Sequence, residues 1–141
     1  MKKIFFTLVL ISPLLYVNAQ SLEKKLAPFS KILIGPGINV ELIHSDEGKI
    51  NLVSDSDKLN EIIVEVVNDV LKVYFSYSKF NLNDDEPFAN SKYSLAGTPY
   101  EGVKVYARLY YTSLEGIDFR GEGKLFCKDV LESDNFSLKI Y

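Results

Sequence analysis

A chain of 141 residues, 47% hydrophobic and 25% charged, falls in the globular range and is long enough for one modest core. Its formal charge of −3 argues against a nucleic-acid partner, which a basic face would serve. One Cys and one His in the whole chain exclude an internal disulfide and leave too few donors for a zinc site, which wants three or four converging ligands.

Lys2 and Lys3 precede an apolar run over residues 4–17, the pattern of an export signal. The run includes Ser12 and Pro13 and falls short of the roughly 20 apolar residues of a membrane-spanning helix. Val17 and Ala19 are small residues at the third and first positions before a cleavage point. Residues 1–19 therefore read as a signal peptide and Gln20 as the first mature residue. No cysteine follows the cut, so lipidation there is not expected. Loss of Lys2 and Lys3 leaves 14 basic residues against 19 acids, a formal −5. The mature chain reads as exported and without a membrane-spanning segment, bound for the periplasm, the outer envelope surface or the extracellular space.

Residues 20–28, with the mixed piece LEKKLAP ending at Pro28, read as a lead-in. Residues 29–34 are β-branched and apolar, and Gly35, Pro36 and Gly37 then predict a strand followed by a sharp turn. Ile38, Val40, Leu42 and His44 alternate with Asn39, Glu41 and Ile43, the period of a half-buried strand. Residues 45–48 turn the chain, residues 49–54 alternate again, and Asp55, Ser56 and Asp57 supply the next turn. The runs 61–67 and 70–77 flank Asn68 and Asp69, which tolerate the positive φ of a tight hairpin.

Residues 78–102 dissolve into Asn, Asp, Ser, Gly and Pro, and loops of that length are usually functional. Val103, Val105, Ala107, Leu109 and Tyr111 then form the buried face of a long strand whose wet face carries Lys104, Tyr106, Arg108 and Tyr110. Beyond Thr112, short apolar pieces built on Leu114, Ile117 and Phe119, on Leu125 and Cys127, and on Phe136, Leu138 and Ile140 are separated by Gly116, Gly121 and Gly123. That spacing predicts rungs of a β-solenoid, whose faces need stacked neighbours for burial. The apolar alternation runs up to Tyr141, which predicts an open strand edge: a solenoid truncated at its C-terminus, or one covered by a partner chain.

The exported start, FSKILIGPGINVELIHSDEGKINLVSD, the hairpin IIVEVVNDVLKVYF and GVKVYARLYYTSLEGIDFRGEGKL together resemble the bacterial putative auto-transporter adhesin, head GIN domain family. The likeness lies in the order of parts: a Gly-Ile-Asn turn into a strand, a hairpin ending in Leu-x-Val, an x-Val-x-Val strand, then Leu-x-x-Ile and a Gly-x-Gly turn. It covers residues 29–141. It implies an all-β fold of short strands and a hairpin leading into a partial right-handed β-solenoid, with export to the envelope. The adhesin label rests on fold analogy, and fold alone does not give function. The loop at 78–102 is long for the family, its further Gly-rich rungs are absent, and there is no room for a membrane barrel.

Residue chemistry points away from catalysis. A Cys–His nucleophile needs Cys127 and His44 to meet, whereas Cys127, alternating with Leu125, reads as a small buried hydrophobe, and His44 reads as a structural or exposed residue at a strand end. Asp84, Asp85 and Glu86, or Asp55 and Asp57, could offer oxygens to calcium, but a solvated acidic loop explains them better. Gly121 and Gly123 lack the third glycine and the helix of a dinucleotide site. No acid pair stands out for glycoside hydrolysis. No catalytic residue, metal or cofactor is expected.

What remains is a mixture of Tyr74, Tyr106 and Tyr110 with Lys72, Lys104 and Arg108 on predicted outward faces, a composition common in binding surfaces. Tyr74, Tyr106, Arg108 and Tyr110 are thus the candidate binding residues, with the loop over residues 88–100 as a second contact surface. The expected function is a non-catalytic exported binding or adhesin-like domain for a protein or glycan. The alternative is a periplasmic assembly module, self-associating or stacking on another chain through its open C-terminal edge. A carboxylate-dependent secreted hydrolase is the remote third.

Overall fold

The computed structural model describes residues 20–76 and 95–141. The export signal, the acidic triplet 84–86 and residues 88–94 of the proposed contact loop lie outside the described residues.

The described strands are β1 Gln20–Lys25, β2 Lys31–Ile34, β3 Ile38–His44, β4 Lys49–Ser54, β5 Ile62–Val67, β6 Val70–Phe75, β7 Val105–Tyr111, β8 Gly116–Phe119, β9 Leu125–Cys127 and β10 Ser137–Ile140. They form two five-stranded sheets, ordered β1-β4-β7-β3-β9 and β10-β8-β2-β6-β5. Both are mixed and open. The pairs β1–β4, β4–β7 and β5–β6 are antiparallel, and all other pairs are parallel. The all-β expectation therefore stands.

Period-2 patterning places the core between the sheets. Ile38, Val40 and Leu42 of β3, Ile50 and Leu52 of β4, and Val105, Ala107 and Leu109 of β7 point inward from the first sheet. Ile32, Ile34, Leu71, Val73 and Phe75 meet them from the second. Burying a side chain of this size contributes about 1.5–3 kcal/mol. The β5–β6 hairpin closes through Asn68 (φ 51°) and Asp69 (φ 66°), the left-handed pair that a two-residue turn demands.

Residues 20–25, read from sequence as a lead-in, are strand β1, paired antiparallel with β4. Only Leu22 of that strand packs against the core and its neighbours are exposed. An edge strand contributing one apolar residue leaves no alternation to detect. A 3-10 helix, Asp57–Glu61, lies where only a polar turn was expected; Ser56 caps it by accepting from the Lys58 amide, and it buries Leu59.

The strand–turn–strand unit β2–β3 is repeated by β8–β9 directly beside it. Ile34 pairs with Phe119 and, six residues on, Val40 pairs with Leu125, so the intervening turns have equal length. Backbone bonds join the turns: the Arg120 amide donates to Ile34 O (2.9 Å), Gly37 N to Glu122 O (2.6 Å) and Val40 N to Lys124 O (2.7 Å). β10 adds to β8 in parallel, Leu138 beside Ile117 and Ile140 beside Phe119.

Candidate functional site

The outer face of the first sheet carries the strongest candidate surface. Because Val105, Ala107 and Leu109 face the core, Tyr106, Arg108 and Tyr110 must face outward, and Tyr106 is 58% exposed. Across β3, edge strand β9 turns Phe126 to the same side, 59% exposed. Between these two aromatics the shorter side chains of β3, Asn39 and Glu41, form a floor. The resulting concavity measures about 650 Å³ and extends to Asn51 and Val53 of β4 and to Lys124 and Lys128.

Within it, Arg108 Nε donates to Glu41 Oε2 at 3.2 Å. Both partners are solvent-accessible, so the pair fixes side-chain direction more than it stabilises the fold. Asn39 Nδ2 donates to the Val105 carbonyl at 3.2 Å. Asn51 Oδ1 is buried with no hydrogen-bond partner, a costly state for an acceptor.

The four sequence candidates do not share one face. Tyr106 and Arg108 line the concavity. Tyr110 lies beyond it under Lys49, whose Nζ stands 4.6 Å from the ring centroid. Tyr74 belongs to β6 in the other sheet and donates to Glu65 Oε1 at 3.0 Å; burial, then Glu65, pushes its phenol above the ordinary value. Alternation showed that each points outward but could not show that the two strands lie in different sheets. Phe126 was missed, although its place between Leu125 and Cys127 was the available signal.

At the described end of the proposed contact loop, Leu95 and Tyr100 are buried while Ala96, Gly97 and Pro99 are exposed. Tyr100, 4% exposed, stacks on Phe75 at 4.5 Å and donates to Glu61 Oε2 at 2.7 Å. With Lys58 (2.7 Å), whose bond is the larger cause, it holds the Glu61 carboxyl below its usual range.

Cys127, expected to be buried, is exposed, because β9 is a three-residue strand at the edge of its sheet. Its thiol donates to Asp129 O at 3.1 Å, while His44 Nε2 engages Thr112 O at 3.2 Å. The two side chains thus spend these groups on backbone carbonyls, which does not make a nucleophile and its base. His44 also meets Tyr111 edge-on, with centroids 5.6 Å apart. Among the described residues, no three His, Cys, Asp or Glu side chains converge to hold a metal, and no helix is long and apolar enough to cross a membrane.

The order of parts seen in this fold is matched at the level of sequence. Residues 28–141 match the putative auto-transporter adhesin, head GIN domain family. The chain belongs to that family. Solved structures share the architecture: a putative adhesin from Parabacteroides merdae (13% identity, 86% of this chain and 43% of the other, TM-score 0.64) and one from Bacteroides fragilis (18%, 86% and 48%, 0.62). A putative lipid binding protein from Parabacteroides distasonis is equally similar (15%, 87% and 46%, 0.64). At these identities the likeness shows the fold alone. This chain spans less than half the length of each of the three. No curated protein matches it.

Proposed function

We propose that this head GIN chain is an exported, non-catalytic binding domain whose contact surface is the concavity walled by Tyr106 and Phe126. The observation that carries the reading is the pair of aromatic side chains more than half exposed on one sheet face, flanking Asn39, Glu41 and Arg108. Exposed aromatics with Arg are the composition of interaction surfaces. The family's adhesin name and the engagement of His44 and Cys127 with backbone carbonyls support binding over catalysis. Residues 1–19 are removed on export, and residues 29–141 act as one unit in which β2–β3 and β8–β9 are rungs of a partial right-handed solenoid.

Two measurements test this. Protease added to intact cells should digest the protein if it is displayed at the surface; protection until lysis would place it inside the envelope and end the adhesin reading. Adherence of the purified protein to cells or matrix-coated wells should fall at least tenfold in Tyr106→Ala and Phe126→Ala, and unchanged adherence would move the contact elsewhere.

A second reading, assembly through the C-terminal end of the stack, is favoured by one observation. The inward columns Ile32–Ile117–Leu138 and Ile34–Phe119–Ile140 end on side chains 52% and 67% exposed. Among the described residues no strand covers these apolar columns, and such an edge invites another chain.

A further inference from the structure

We propose that the concavity over β3 binds an acidic saccharide. This rests on the reading of that concavity as the contact surface and adds the chemistry of its ligand.

The first argument is shape. β7 and β9 flank β3, with Tyr106 beside Asn39 and Phe126 beside Glu41, so the two backbones stand two strand spacings apart and two residues offset along the strands, roughly 11–12 Å. The walls are aromatic side chains, a residue type that stacks on the apolar face of a sugar ring, and the floor residues Asn39 and Glu41 are polar.

The second argument is hydrogen bonding. Asn39, Glu41, Asn51 and Arg108 present flat amide, carboxylate and guanidinium groups to one space, a set that pairs with vicinal hydroxyls. An acyl chain offers them no hydroxyl, and would strip water from the exposed Glu41 and Arg108 side chains without replacing it.

Charge is the third argument. Arg108, Lys124 and Lys128 face the single acid Glu41, so the site carries a positive excess in a chain whose formal charge is −3. A positive cleft on an acidic protein selects an anion and steers it in. Ring, hydroxyls and negative charge together describe a uronate-type or otherwise acidic sugar.

Isothermal titration of the purified protein with oligogalacturonate, maltohexaose and oleate decides the matter. Oligogalacturonate should bind, with affinity falling at least tenfold in Tyr106→Ala and in Phe126→Ala and falling with added salt. Lys124→Gln with Lys128→Gln should weaken it about tenfold and flatten the salt dependence, at unchanged melting temperature. Maltohexaose should bind at least tenfold more weakly. Absence of oligogalacturonate binding, or binding indifferent to Tyr106→Ala and Phe126→Ala, overturns the proposal. Oleate or maltohexaose binding preferentially and depending on Tyr106 would discard the acidic-saccharide class while leaving the contact surface standing. Cell or matrix adherence indifferent to Tyr106 as well would discard both.

Discussion

Tyr111 ends β7 with only 3% of its surface exposed. Burial, and then the Cys127 sulfur beside it, push its phenol up to about 12. A raised phenol favours folding while it stays protonated, so its stabilisation is complete below pH 10 and is lost as pH climbs from about 10 to about 12. The loss at the top of that window is on the order of 2–3 kcal/mol. Tyr111→Phe should therefore flatten the decline of melting temperature over this range relative to the wild type, and parallel curves would refute the assignment. Gly123 is constrained by space: a Cβ there would stand 2.6 Å from the Ile38 carbonyl oxygen, at φ +158°. Backbone cannot yield as a side chain can, so Gly123→Ala should cost about 1–3 kcal/mol by denaturant titration.

Among the elements, β7 is the most informative, because its two faces belong to different tasks. Val105→Asp places a charge without a partner in the core and should cost about 3–5 kcal/mol or unfold the domain. Tyr106→Ser, one residue on, should change stability by less than about 0.5 kcal/mol. Equal thermal midpoints for the two variants would show the faces to be misassigned. The strand was legible from alternation over residues 103–111, and so was the hairpin at Asn68 and Asp69. β1 was not, since a strand that buries Leu22 alone has no periodic signal. The concavity was half legible: Tyr106 and Arg108 were marked by their face, but Phe126 joined them only because β9 pairs with β3 from far along the chain.

At the scale of assembly, the second reading under test is that the apolar columns ending on Leu138 and Ile140 of β10 take up another chain. Sedimentation of the purified protein should show concentration-dependent dimers or larger species, and Leu138→Lys with Ile140→Lys should restore the monomer, since charge on a sheet edge opposes pairing. A wild type that stays monomeric across the micromolar range would rule out assembly through this edge.

Local chemistry suffices for the features that repeat at short range. Period-2 alternation identifies the long strands, Gly35–Pro36–Gly37 and Asn68–Asp69 the turns, and the scarcity of Cys and His limits metal and disulfide chemistry, because each depends only on neighbours in sequence. Tertiary structure alone decided that Tyr74 and Tyr106 lie on different sheets, that Tyr100 belongs to the core and that Cys127 is exposed. These outcomes depend on which strands pair across tens of residues, and pairing is set by how the two apolar faces close on one another.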